Sequence, residues 1–465
     1  MSYEYLYRRR HQNYLAAEPF WRRALAAYSG GQTYLDQALI RHVSEALPEF
    51  MERRARAYYL NYPRKIARAI TQYVLAQTPR RERADAGLCE DFSRSGLRVN
   101  EVMRQFSTCL NIFGSAWMLV DMPGFAGELD AAEQAAERIR PYAVVLNPLE
   151  VPDWAFGSDG RLLWAIVSQN SVDNRDPFSE PVAVCRRTLW TRERWRVIAP
   201  DAGGECRITA EGCHGLGRVP LVRYEETDGN GINANHWFED VIKISDAILN
   251  NESEAQMNAV KQMFGLIVIG ERFANQAKHF KSQPNSNGAE DSFSHILARS
   301  SALIETPDEK GISRYISPSG IETKTLREEN IALKKELFDI VGLAIQKDNR
   351  TEQSAESKAW DHLHVGQFLA TRADILEQVE NQTWQFFHAW DSTITLPQVC
   401  YNREFAQLEM NSTITAILGL ATINGGKEYQ REIARAAAAV LNRVTGTAPQ
   451  NYQQIIAEIA AMEAT

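Results

Sequence analysis

The feature of this sequence that most restricts its fold is a pair of long helical patterns bracketing a short segment that can continue neither. From about His236 to Phe264 apolar residues recur at helical spacing (Trp237, Val241, Ile244, Ile248, Ala255 and Met263), and Asn235 is placed to cap the start. A second pattern runs from 319 to about Ile345. It opens on the S-x-x-E capping box of Ser319 and Glu322 and carries Leu326, Leu333, Leu337, Ile340 and Val341. At 1.5 Å per residue each helix would be about 40 Å long. Residues 265–318 between them read as a small mixed insert: a strand at Leu266 to Ile269, a polar stretch from Lys281 to Asp291, and short strands around Leu303 and Tyr315. The middle of the first helix, Asn250 to Glu254, is polar all round. That is expected where a helix leaves a core to cross open space or a wet subunit interface.

The rest of the chain reads as helices around one β-rich section, an α+β protein that is mainly helical. Residues 1–83 are helical, broken at Ser29, Gly30 and Gly31 and at Pro48 and Pro63. Val102, Phe106, Leu110 and Phe113 mark a buried helix within 98–122 that runs into a strand at Trp117 to Val120. From Pro141 to Glu225 the period falls to two. Runs at Tyr142 to Leu146, Leu162 to Val167, Val182 to Trp190, Trp195 to Ile198 and Leu221 to Tyr224 are separated by Gly, Pro, Asp and Asn, the mark of an antiparallel sheet. After a polar break from Gln346 to Ser354, a third long helix spans Ala355 to Trp390, with Trp360, Leu363, Leu376, Val379, Trp384 and Phe387 on its apolar side. Pro397 ends this region, and the Ala-rich tail from Glu404 to Thr465 is helical, with turns at Gly425 and Gly426 and at Gly446 to Pro449.

A chain of 465 residues with 44% hydrophobic content can bury more than one core. Its formal charge is −8, whereas a module that grips DNA by neutralising phosphates is basic over its contact face, so tight sequence-specific DNA binding is not expected. The charge is uneven: residues 1–83 hold 15 Lys and Arg against 7 Asp and Glu, so that section is +8 and the remainder, against the total of −8, is −16. Arg53, Arg54, Arg56, Arg64, Lys65 and Arg68 recur between Glu49 and Gln77. They read as a solvated helix face or as a contact with an acidic partner or a phosphate backbone. No apolar run approaches the roughly 20 residues needed to cross a bilayer, so a soluble, unprocessed protein with no membrane partner is expected. Cysteines 89, 109, 185, 206, 213 and 400 are scattered, and reduced thiols are expected.

Patterns that could carry chemistry resolve into bland readings. Cys206, Cys213 and His214, with or without Cys185, have a spacing that fits no common zinc pattern. Gly212, Gly215 and Gly217 lie between predicted strands and open no helix, so they read as a turn and not as a phosphate loop. His362 and His364 are two apart on a helix and point to different faces. Asp153 and Asp159, either side of Trp154, read as solvated turn carboxylates. No catalytic, metal or cofactor residue is assigned, which moves the expectation from an enzyme toward an interaction protein.

Several stretches resemble the portal proteins of tailed bacteriophages, in that family's order. Glu49 to Asn61 (EFMERRARAYYLN), followed by Pro79, is similar to an arginine-and-tyrosine helix near their N-terminus. Pro141 to Trp154 (PYAVVLNPLEVPDW) and Gly160 to Val167 (GRLLWAIV) resemble the wing strands. Leu303 to Gly320 (LIETPDEKGISRYISPSG) is similar to the end of the clip and the entry to the second stem helix. Gln353 to Trp360 (QSAESKAW) resembles the start of the helix after the tunnel loop, although many relatives have Gly where Ala355 stands, and Val399 to Phe405 (VCYNREF) resembles the lead-in to the C-terminal helices.

The resemblance implies N-terminal helices and a β-rich wing over 1–235, stem helices at 236–264 and 319–345, and a clip at 265–318. A tunnel loop (346–354) and long wing helix then fill 346–396, and a helical crown fills 397–465. It further implies a dodecameric ring at one capsid vertex of the virion, assembled in the host cytoplasm. Double-stranded DNA would pass through it without sequence specificity during packaging and ejection. The implied partners are the terminase large subunit, the major capsid and scaffolding proteins and a head-tail adaptor. An acidic wall lets a polyanion slide, while isolated cations at a constriction can steer or brake it. In the predicted tunnel loop Lys347, Asn349 and Arg350 are the residues expected to face DNA; in the clip Ser282, Asn285 and Asp291 are expected to dock a partner. Two other readings stay open at this stage: a DNA- or nucleotide-processing enzyme with an unrecognised site, and another structural virion protein.

Overall fold

The computed structural model describes residues 3–123, 139–173, 182–201, 203–226, 236–263, 266–270, 303–306, 314–316, 320–340, 355–403, 405, 419–420, 426–445 and 449–461. Five helices come first: α1 (Tyr3–Arg8), α2 (Gln12–Ser29), α3 (Gln32–Ala38), α4 (Leu47–Arg56) and α5 (Tyr62–Val74). Then follow β1 (Arg80–Glu82), α6 (Ala86–Glu90), α7 (Val99–Phe113), β2 (Ser115–Asp121) and β3 (Tyr142–Leu146). The strands β4 (Asp153–Phe156), β5 (Leu162–Asp173), β6 (Val182–Thr191), β7 (Arg194–Pro200), β8 (Cys206–Cys213) and β9 (Leu221–Glu225) lead into α8 (Trp237–Met263). Beyond it lie β10 (Leu266–Gly270), β11 (Leu303–Thr306), β12 (Arg314–Ile316), α9 (Ile321–Asp339), α10 (Ala355–Trp390), β13 (Gln398–Cys400), α11 (Lys427–Thr445) and α12 (Pro449–Ala461). This is the mixed helix-and-sheet architecture of an α+β protein.

The chain divides into two compact units, one of residues 1–353 with 367–403 and one of 354–366 with 404–465. In the second, α11 packs with α12, and Ala438 and Ile459 are buried. The first unit is built around β2, the middle strand of an antiparallel sheet ordered β3-β2-β9. Its run Ala116, Trp117, Met118, Leu119 and Val120 is buried throughout because both faces are covered, which is why the run does not alternate. The buried stripe of α7 (Val102, Met103, Phe106, Leu110) packs beside it. From α10, Thr383 donates to the Met118 sulfur at 3.1 Å and the Trp390 indole donates to the Val120 carbonyl at 3.2 Å.

The β-rich expectation is met by an antiparallel meander, β4-β5-β6-β7-β8, in sequence order. Two of its strands, β4 and β8, are additional to the pattern read from sequence. Asp153 corrects the solvated-turn reading: it stands on β4, 1% exposed, with Arg9 at 2.6 Å, because the basic end of α1 folds over this sheet. Arg9 also lies 4.7 Å from the Trp164 ring, and Tyr7 donates to the Cys185 carbonyl. Asp159 is a half-exposed turn carboxylate, as read. Gly212 is a strand residue and not part of a turn; a β-carbon there would meet the Trp195 ring at 2.9 Å. Gly215 and Gly217, with φ of +64° and +66°, do form the turn beyond it. Cys206 and Cys213 stand at opposite ends of β8, and the His214 ring lies 3.0 Å from the Thr191 carbonyl. All six cysteines are free thiols.

A buried charge cluster joins the last part of this unit to the first. Arg81 of β1 forks onto Glu380 of α10 at 2.5 and 2.9 Å, Tyr401 donates to the same carboxylate at 2.6 Å, and Trp384 donates to it at 3.2 Å. With β13 paired to β1, residues 398–403 belong to this unit.

Candidate functional site

The two long helices are where the chain departs most from a closed core, and they form an antiparallel pair. Its framework begins at His236. The Glu226 carboxylate, 3.0 Å from His236 Nε2, requires a proton there, while Nδ1 accepts from the Phe238 N–H at 3.3 Å and caps the first turn of α8. Arg372 of α10 holds both Glu226 oxygens, at 2.8 and 3.0 Å. Burial works to raise the Glu226 pKa, but hydrogen bonds from His236 and Arg372 outweigh it and leave the carboxyl below its usual range. Burial lowers the His236 pKa, against the pull of Glu226, so the imidazole is neutral near pH 7. Asn235, the cap read from sequence, lies outside the described residues.

The polar middle of α8 does not cross open space, which corrects that part of the expectation. N-terminal helices of the same chain hold it. Asp246 forms an ion pair with Arg23 of α2 and accepts from Tyr34 of α3 at 2.5 Å; burial pushes its pKa up despite both partners. Asn250 accepts from the Ile40 N–H at 2.9 Å and donates to the Ala38 carbonyl at 3.0 Å. Arg53 of α4 is 3% exposed; it forks onto Glu45 at 2.8 Å through two nitrogens, and donates to Ser253 Oγ at 2.8 Å and the Ile40 carbonyl at 2.7 Å. The solvated-face reading therefore fails for Arg53, because these fixed acceptors replace its water. Arg54 is bonded to Asp36, Arg56 to Glu52, and Arg64 to the Tyr28 and Ser29 carbonyls. Much of the basic cluster thus serves internal anchoring.

The second helix is held differently. Its buried positions are Thr323, Asn330 and Leu337, seven residues apart, with Leu326 and Leu333 half-buried between them. That is a coiled-coil seam, facing α8, with two polar residues, Thr323 and Asn330, in it. Asn330 Nδ2 reaches the Ile248 carbonyl and Glu252 Oε2, both at 3.5 Å, and its Oδ1 is buried without a partner. The leucine stripe read from sequence is only partly buried, and Ile340 is 37% exposed. Gly320 is the N-cap, with no side-chain bond; Ser319 of the expected capping box lies outside the described residues, as does Val341. Beyond Met257 nothing on α8 is buried, and Met263 is 73% exposed. There the three strands form one small sheet, β10 parallel to β11 and antiparallel to β12, bridging the far ends of the pair.

Lys347, Asn349 and Arg350, and Ser282, Asn285 and Asp291, lie outside the described residues. Sequence reasoning found the two helices but missed their anchors. Arg53 carries no local mark that separates it from Arg54, whereas the seven-residue spacing of Thr323, Asn330 and Leu337 was available as a signal. Among the described residues, no helix is long and apolar enough to cross a membrane, and no cluster of three or more His, Cys, Asp or Glu side chains is arranged to hold a metal ion.

No protein-family model matches the chain, and no curated protein matches it. Among solved structures, it is similar to a chain from the neck of a native gene transfer agent particle computed with C12 symmetry, at 11% identity and a TM-score of 0.42, over 88% of this chain and 98% of that one. A chain from the neck of the empty particle computed with C6 symmetry is similar at 10% identity and 0.43, over 85% and 95%. A chain from the virion of the native gene transfer agent particle is similar at 11% identity and 0.39, over 88% and 98%.

Proposed function

We propose that this chain is a subunit of a bacteriophage portal, a ring at one capsid vertex through which double-stranded DNA is packaged and ejected. The observation that carries the reading is the antiparallel pair α8 and α9, tipped by the β10–β12 sheet, with α8 anchored by its own chain and α9 held along one seam. A 19-residue helix that buries three side chains has most of its surface left for neighbours. Head-to-tail copies around a closed axis supply such neighbours. The order of the portal-like stretches, from Glu49 to Phe405, supports the same reading, and the net charge of −8 suits a wall past which a polyanion must slide.

In this reading the helix pairs form the stem of a dodecamer and residues 265–318 form the clip. The clip docks first the terminase large subunit and then a head-tail adaptor. Lys347, Asn349 and Arg350 face the DNA from the tunnel loop. The capsid and scaffolding proteins meet the outer surface during assembly in the host cytoplasm. The chain is a conduit and not an enzyme, with energy supplied by the separate motor. The test is the mass and shape of the purified protein. A uniform particle of about twelve copies with a central hole in negative stain is expected; a monomer at every concentration would refute the reading.

A further inference from the structure

We propose that Arg187 binds a small inorganic anion between α1 and the five-stranded sheet, and that the bound ion holds α1 in place. The inference is independent of the ring reading. Arg187 stands on β6 and is 5% exposed, with its guanidinium over the Tyr7 ring of α1, 4.7 Å from the centroid. Its Nε and Nη1 are buried and have no hydrogen-bond partner. Among the described residues it forms no ion pair, and the groups that act on its charge are Arg10, Cys185 and Tyr7, none of them a carboxylate. Burial works against that charge first and Arg10 second, yet an arginine does not escape by giving up its proton. A buried charge without a counter-charge is strongly unfavourable, and here the chain supplies none.

The acids of this neighbourhood are already engaged. Glu4 pairs with Arg8 at 2.8 Å, Asp153 with Arg9 at 2.6 Å and Asp201 with Arg207 at 3.1 Å. Arg10, the second cation, donates to the Arg8 and Arg9 carbonyls and lies over the Tyr14 ring, and no acid of the described residues pairs with it. Positive charge is therefore in excess at this contact. Ser168 stands directly opposite Arg187 in the β5–β6 ladder, so its hydroxyl lies on the same face of the sheet. Water would satisfy the N–H groups of Arg187 and leave its charge uncompensated. An anion answers both, with the Ser168 hydroxyl as a second donor.

Access sets the size of the ligand. With α1 seated, neither a duplex phosphate nor a side chain of a neighbouring protein reaches a group so deeply covered. A free ion enters when α1 opens, and α1 is built to open: it has six residues, none of them buried. An ion that binds only beneath the seated helix stabilises the seated state by mass action, so the protection of α1 reads occupancy of the site.

The test follows hydrogen exchange of the Tyr7 and Arg8 amides in the full-length protein, with Arg187→Met beside the wild type. Sodium gluconate, chloride and phosphate are compared at one ionic strength; gluconate is too large for the site and sets the baseline. In the wild type, exchange should slow saturably, by roughly tenfold or more, as chloride or phosphate replaces gluconate. Whichever acts at the lower concentration identifies the ion. Arg187→Met should not respond and, without the unpaired charge, should be protected in gluconate at least as well as the wild type. Wild-type exchange that ignores both ions overturns the site and leaves water as the partner of Arg187. An equal response in the two proteins overturns it as well, as an adventitious ion only. If Arg187→Met does not fold, Arg187→Lys takes its place: it keeps the charge and loses the planar fork, so the half-maximal concentration should rise, and an unchanged one overturns the site.

Discussion

Replacing Arg53 by Met tests whether one buried cation fixes the 39–46 loop to α8. Methionine keeps much of the apolar stem and removes the charge, so the loss is that of the guanidinium's contacts: two to Glu45, one to Ser253 Oγ and one to the Ile40 carbonyl, at 2.7 to 2.8 Å. Removing one partner of a buried ion pair costs about 3–5 kcal/mol, because the other charge stays desolvated. The Glu45 side chain is 15% exposed and can recruit water, which places the loss near the lower end, about 3 kcal/mol. Hydrogen exchange of the loop amides reads the opening of this anchor locally and is the assay. Such a loss predicts exchange of the Ile40 and Glu45 amides faster on the order of a hundredfold, with β2 unaffected. A second arm uses pH. The hydrogen bond from Arg53 holds the Glu45 carboxyl below its ordinary value of 4.5, so the pair stabilises fully above that pH and is lost as pH falls through the depressed native value. Wild-type protection should therefore collapse toward the R53M level in acid. A change under tenfold at neutral pH, or wild-type protection that survives acid, would refute the reasoning.

Four further outcomes follow from the same framework. His236 is held neutral by burial, so an unfolded chain takes up protons near 6.5 that the fold refuses; the melting temperature should fall as pH drops below that value, and His236→Gln should flatten the dependence. Asn330→Leu removes a buried, unpartnered Oδ1 from the seam and should raise the melting temperature by a few degrees, while ring preparations become less uniform because a polar register mark is gone. Gly114 has φ +68°, and a β-carbon there would lie 2.7 Å from the His236 ring, so Gly114→Ala should cost about 2–3 kcal/mol in denaturant titration of the first unit. Replacing Lys347 and Arg350 by Ala should leave ring mass unchanged and alter DNA retention; an unchanged packaged-genome yield would count against their proposed role.

Periodic features were the legible ones. The stripe of α7, the two-residue period of the meander and the three long helices could all be read because burial on one face imposes a spacing that sequence displays directly. What could not be read was long-range pairing of charge. Asp153 and Arg9 are 144 residues apart (153 less 9), and Arg53 and Ser253 are 200 apart. Neither partner is marked locally, because a solvated arginine and a buried one are spelled alike. The polar centre of α8 misled for the same reason: an all-polar turn denotes the absence of an apolar neighbour, and only the fold reveals that the neighbour is a set of side chains from α2, α3 and α4. The strands β4 and β8 were missed because β4 is four residues long and β8 holds Gly212 where the Trp195 ring leaves no room for a side chain.

The two helices of the pair differ in how far they depend on company. Removing all neighbours would leave α8 fixed by bonds of its own chain: His236 to Glu226, Asp246 and Asn250 to α3, and Ser253 to α4. The same operation leaves α9 with one narrow seam, in which one of the three buried residues is an asparagine at 3.5 Å from its acceptors. Isolated helices of this length are marginal in water, so α9 takes its order from what packs on it. In the proposed ring that is the next copy, and assembly then stabilises the helix by mass action. Exchange of the α9 amides should accordingly slow with protein concentration while that of the α8 amides near Asp246 does not. Equal concentration dependence in both helices would mean that they order as one body, and would remove the asymmetry that supports the ring reading.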